Sequence, residues 1–192
     1  MYNLTAFILL CCTFGMSLNT SGENFEEAPE PLIQPDSFPY TWLGSWEGDL
    51  HIYSGNNLVQ SIPMALEILP IDTSNNFVWA IIYGEDKEAG RRAYELETVD
   101  AAKGFYRIDE KNSIKLESYL YGDKLYCQFS VMNSQITCTY MKAGDEIHFE
   151  IISGSIEPVS ITGGETFEEE EIPLVKTYPV SVVQKAVLYR KK

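Results

Sequence analysis

The stretch "GSWEGDLHIYS", Gly44 to Ser54, decides the fold. Trp46, Gly48, Leu50 and Ile52 fall on one side of an extended chain, and Ser45, Glu47, Asp49 and His51 on the other. Alternation with a period of two marks a strand with one buried and one wet face. The two glycines permit close approach of a neighbouring backbone, and Trp46 is large enough to fill one end of a closed sheet.

The same pattern continues downstream. "SIPMALEIL" sets Ile62, Met64, Leu66 and Ile68 against Ser61, Pro63, Ala65 and Glu67. Further runs follow as "NFVWAIIYG", "RRAYELETV", "GFYRIDE", "SIKLESYLYG", "KLYCQFSVM", "QITCTYM", "EIHFEII" and "YPVSVVQKAVLYR". Separators such as "SGNN", "DTSN", "AAKG" and "AGD" carry turn chemistry. The pattern predicts an all-β domain over residues 42–192, an antiparallel up-and-down meander of about ten strands with no amphipathic helix. Pairing the last strand with the first removes both costly edges, so a closed barrel is expected. Ten strands enclose more space than the eight whose side chains can fill the interior, so a cavity is expected as well. "FVWAIIYG" is apolar on both faces and requires cover on its outer side. "SGSIEPVSITGGETFEEEEIPLVKT" reads as one long irregular connection whose run Glu168 to Glu171 is a solvated acidic loop.

Residues 1–22 contain no charge and hold an apolar stretch from Leu4 to about Met16, too short to span a bilayer and suited to a signal peptide. Cleavage near Gly15 to Ser17 and lipid attachment at Cys12 or Cys11 are both open. Residues 23–41, rich in proline and acid, read as an extended tether. Together these place the mature protein as secreted, periplasmic or envelope-anchored. Acidic residues number 28 against 14 basic ones, a formal net charge of -14, which excludes nucleic acid as a partner and leaves the membrane only through a lipid anchor.

The mature chain holds two cysteines, Cys127 and Cys138, flanking a turn at Met132 to Gln135. A turn centred near Met132 and Asn133 makes them face one another, either as a disulfide or as two buried thiols.

G-x-W at a first strand resembles the lipocalin and wider calycin signature. The longer form Gly44-x-Trp46-x-Gly48 resembles the opening of nitrobindin-type ten-stranded haem-binding barrels. That resemblance implies a histidine ligand to haem. By alternation, however, both His51 and His148 point outward.

No Gly-rich phosphate loop, G-x-S-x-G elbow, H-E-x-x-H or Cys/His metal cluster is present, so neither catalysis, a cofactor nor a metal is expected. On the inner face the pattern places Trp46, Tyr94, Tyr140 and Gln184, with Arg107 inside beside Asp109 as a candidate anchor for a ligand carboxylate. The expected function is non-catalytic binding of a small apolar or amphipathic molecule. The rival is a structural or interaction module of the cell envelope with a filled barrel, and the third reading is a haem-binding or chromophore-lyase-like barrel.

Overall fold

A computed structural model describes residues 36–192. The expected signal peptide, the Cys12 lipidation site and most of the tether lie outside the described residues. Strands β1 (Gly44–Ser54), β2 (Asn57–Pro70), β3 (Phe77–Tyr83), β4 (Arg91–Asp100), β5 (Phe105–Asp109), β6 (Lys115–Tyr121), β7 (Lys124–Val131), β8 (Ser134–Ala143) and β9 (Glu146–Ser155) form an antiparallel meander. After a long excursion, β14 (Val182–Arg190) enters between β9 and β1 and closes a ten-stranded barrel.

The seam between β1 and β14 explains the opening motif. Gly44 adopts φ +133, and a Cβ there would lie 2.7 Å from Arg190 Nη1. A Cβ on Gly48 would meet the Val187 carbonyl oxygen at 2.2 Å. Between them Trp46 is wholly buried. Its indole Nε1–H donates to the Trp42 carbonyl at 2.9 Å, and the Arg190 guanidinium covers its ring 4.2 Å from the centroid. The two glycines admit β14 while the tryptophan fills the end of the barrel that β14 closes.

That end is plugged. Residues Tyr40–Trp42 form a 3-10 turn, and Phe38 and Trp42 are buried. Phe38 meets Trp42 and Tyr106 edge-on, both at 4.8 Å, and the Tyr106 hydroxyl donates to the Phe38 carbonyl at 3.3 Å. Phe38 and Tyr40, within the stretch read as a tether to residue 41, thus pack with the barrel core, because aromatic side chains gain more by burial than by remaining solvated.

The inner faces of β1 and β2 are as the alternation predicts, with Leu50, Ile52, Met64, Leu66 and Ile68 buried. On β3 both faces are buried, including Ala80 and Ile82 on the outer side. Arg91 on β4 and Glu67 on β2 form an ion pair at 2.8 Å. Since β3 lies between those strands, with Glu67 opposite Ala80 and Arg91 opposite Ile82, the pair arches over the outer face of β3. The cover that "FVWAIIYG" requires thus comes at least in part from its neighbours.

On β5 the expected faces are inverted. Tyr106 and Ile108 are buried, whereas Arg107 projects outward between Glu97 on β4 and Glu117 on β6 at 3.4 and 2.9 Å. Asp109, expected as its partner, instead accepts from the Lys111 backbone N–H at 2.7 Å and faces Lys115. A register shift between Thr98 and Asp100, followed by the 3-10 turn Ala101–Lys103, resets the alternation just before this strand.

The long connection is not irregular. β10 (Ser160–Thr162) pairs with β13 (Val175–Thr177), and β11 (Thr166–Phe167) pairs with β12 (Glu170–Glu171). Together they form a hairpin arm turning at Glu168 and Glu169, both with positive φ (50 and 68). Its strand residues are exposed along the whole length.

The β7–β8 turn is Met132 and Asn133, so Cys127 pairs directly with Cys138. Both are free thiols on the buried face. Desolvation pushes the Cys138 thiol up to about 12 and raises that of Cys127. Both should resist alkylation in the native protein and react once it is unfolded, as peptide mapping would show. Gly48→Ala should destabilise the barrel by on the order of 1–3 kcal/mol, because the obstructing atom is a backbone carbonyl fixed in the sheet. Urea unfolding measures this.

Candidate functional site

The barrel is asymmetric along its axis. β3 and β8 stand on opposite sides of the ring. Trp79 on β3 nevertheless packs edge-on against Tyr140 on β8, with ring centroids 5.1 Å apart. Tyr140 in turn packs on Phe149 at 5.1 Å. This aromatic bridge spans the lumen and forms a floor, with the plug beneath it.

Above the floor Ile62, Tyr83, Tyr94, Phe129, Ile151 and Val182 are partly buried on the inner face, among buried Met64, Ile81, Cys127 and Cys138. Tyr83 is the most informative. Burial pushes its hydroxyl far above the usual tyrosine range, yet the residue retains accessible surface. Tyr83 thus stands half-buried on the inner face of β3, packed against the core. Across that lumen the Cys138 thiol is close enough to raise Tyr83 further, as is Tyr94 on the neighbouring strand.

Of the residues expected from sequence, Tyr94, Tyr140 and Gln184 are on the inner face above or at the floor. Burial pushes the Tyr94 hydroxyl up to about 12. Gln184 lies in a cross-strand row with Ile52 on β1 and Ile151 on β9, and Ile151 pairs onward with Cys138 and Cys127. Trp46 belongs to the plugged end, not to the lumen wall. Arg107 is on the outer surface and is corrected as a lumenal anchor.

Two lumenal residues escaped the sequence reading. Arg92 shares the face of Tyr94 two residues on and pairs with buried Ile81. Its presence followed from placing Tyr94 inside. Glu110 follows Ile108 by two and comes inside once the faces of β5 are inverted. Burial raises its carboxyl, with Asn112 Nδ2 donating to it at 3.2 Å in opposition. Arg92 and Glu110 both act on Tyr83 and Tyr94.

Two surface concavities lie elsewhere. One of about 670 Å³ covers the outer faces of β1, β14, β9 and β8 and includes both histidines. There His51 Nδ1 meets Ser61 Oγ at 3.1 Å and His148 Nε2 meets Glu146 at 3.0 Å. Neither imidazole faces the lumen, so neither is placed to ligate a haem within it. The other, about 400 Å³, lies at the base of the arm between Phe129, Ile156 and Tyr178.

The tyrosines give a pH signature. A hydroxyl raised on folding stays neutral while the unfolded chain ionises, so its contribution is full below pH 10 and falls as pH rises from there through about 12. Unfolding free energy should therefore decline over that window, and Tyr94→Phe should lessen the decline.

No family model matches the chain, and no curated protein matches it. Among solved structures it is similar to a Nostoc punctiforme protein of unknown function from the DUF3598 family, with 12% sequence identity and a TM-score of 0.53. The alignment covers 84% of this chain and 51% of that one, so the chain spans about half the length of its neighbour. The likeness is one of fold alone, and this chain's fold is a closed ten-stranded antiparallel barrel.

Proposed function

We propose that this protein binds a small amphipathic molecule in the open half of its barrel, without catalysis. The observation that carries the reading is the set of half-buried side chains on the inner face beyond the Trp79–Tyr140 bridge, Tyr83 and Tyr94 among them. Apolar walls with a few convergent polar groups are the usual make-up of a small-molecule site. Here Ile62, Phe129, Ile151 and Val182 supply the walls, and Tyr94, Gln184, Arg92 and Glu110 the polar groups. The polar set lacks a nucleophile paired with a base, which favours binding over reaction. The signal-like residues 1–22 support an extracytoplasmic setting.

The arm favours a second reading, an interaction module of the cell envelope. Ile161, Phe167 and Leu174 are 55%, 66% and 67% exposed on a two-stranded ribbon. Such ribbons are marginal on their own and gain stability from a partner.

Native mass spectrometry of the protein purified from its own host tests the first reading. A carrier should show a discrete mass excess lost on denaturation, and the extracted compound added back should raise Tm by mass action. A compound that co-purifies but leaves Tm unchanged would sink the lumenal assignment. Deleting residues 160–177 should leave the ligand bound if the lumen is the site.

A further inference from the structure

Outside the lumen, and independent of it, one belt of outward side chains crosses seven strands. Cross-strand pairing sets His51 beside Lys185, Lys185 beside Glu150, Glu150 beside Thr139 and Thr139 beside Tyr126. The row runs on through Tyr119 to Phe105, which stacks on Tyr119 with ring centroids 5.2 Å apart. Its polar half lies in the concavity of about 670 Å³ on the outer wall. Thr139 alternates with the inward Cys138 and Tyr140 and so faces away from the interior, yet it is only 7% exposed, sunk among its taller neighbours.

The charges of this concavity are left open. Asp49, Glu150, Lys124 and Lys185 form no ion pair among the described residues, although Lys185 and Glu150 are direct cross-strand neighbours. Lys185 lies instead over the Tyr53 ring at 5.0 Å, and Lys124 over Tyr126 at 5.1 Å. On the far side of the barrel Glu95, Glu97 and Glu117 are each held by a lysine or arginine. Two acids and two lysines cancel, in a protein whose formal net charge is -14. A lining without net charge selects neither an anion nor a cation, whereas acceptors and donors side by side suit hydroxyls, which do both. The barrel is closed, so its wall offers no strand edge for an extended peptide to join. Beside the concavity Tyr119, Tyr121 and Tyr126 are 44%, 71% and 38% exposed, amphipathic rings suited to the C–H face of a sugar. We infer that this outer wall binds a neutral oligosaccharide laid across the strands, its hydroxyls on His51, Lys185, Glu150 and Thr139 and a further sugar ring on the tyrosine row. Neighbouring strands lie about 4.8 Å apart, so the four polar positions extend over about 14 Å, more than one sugar ring.

Titration calorimetry on the full chain tests this with cellotetraose, maltotetraose and N-acetylchitotetraose as neutral probes, tetragalacturonate as an anionic one and tetraglycine as a zwitterionic one. At least one neutral probe should bind the wild type, with an affinity that holds when salt is raised from about 0.05 to about 0.5 M, since an uncharged ligand is not screened. Glu150→Ala and Lys185→Met should each weaken it by about tenfold, as expected for loss of a hydrogen bond to a charged group. Tyr126→Ala should also weaken it, and Tyr121→Ala, at the more exposed ring, keeps the aromatic contact testable should Tyr126→Ala lose stability. Binding of none of the neutral probes would overturn the inference. Neutral-probe binding that survives Glu150→Ala and Lys185→Met together would place the sugar elsewhere and overturn it as well. Tighter binding of tetragalacturonate or tetraglycine than of every neutral probe would assign the concavity to an anion or a peptide instead. None of these outcomes bears on the lumenal reading, which native mass spectrometry tests.

Discussion

The structure depends on the approach of β14 to β1. The ladder there requires Gly48 to lack a side chain, since a Cβ would meet the Val187 carbonyl, while Gly44 holds a φ of +133 that other residues rarely adopt. The same approach brings Arg190 over Trp46, whose burial and hydrogen bond to Trp42 hold the entering chain across the end of the barrel. Closure and plugging are therefore one event. If β14 were displaced, Trp46 would lose its cover and β1 and β9 would each present an open edge.

Plugging in turn shapes the candidate site. Phe38, Trp42 and Tyr106 fill one end, and the Trp79–Tyr140 bridge closes off what lies above. The interior of the ten strands is thus crossed by this bridge, with Phe38 and Trp42 packed on one side and the half-buried Tyr83 and Tyr94 on the other. Most charged groups that resemble ligand anchors in the sequence are spent on the outside. Arg107 illustrates this, held between Glu97 and Glu117 with Lys115 also on Glu97.

Much of this was legible in the sequence, for a physical reason that also marks where legibility ended. Burial imposes period two, so Trp46 through Ile52 and Met64 through Ile68 declare their faces directly. The cysteine pairing was legible too, because a two-residue turn fixes register locally. "FYRID" declares nothing, since Tyr106 and Ile108 compete with Phe105 for the core and five residues are too few to decide. Its faces are set by Glu97 and Glu117 on adjacent strands, through pairings between strands that a linear pattern does not contain. Glu110 was lost in the same way, whereas Arg92 shares the face of Tyr94 and was legible in the alternation of β4. The hairpin arm escaped because both its faces are exposed, leaving no burial period to read.

The placement of β14 also bears on how the protein is made. It follows the other nine barrel strands in sequence and lies between β9 and β1, pairing with both. A chain emerging from the ribosome can pair its first nine strands by local hairpins, but the curled sheet must wait, with two unpaired edges, for the whole arm and then β14 to appear. Completion is therefore a single late event joining residues such as Trp46 and Arg190 from opposite ends of the barrel sequence. Truncation anywhere after Ser155 would leave a nine-stranded sheet open on both sides, a species more prone to self-association than to partial function.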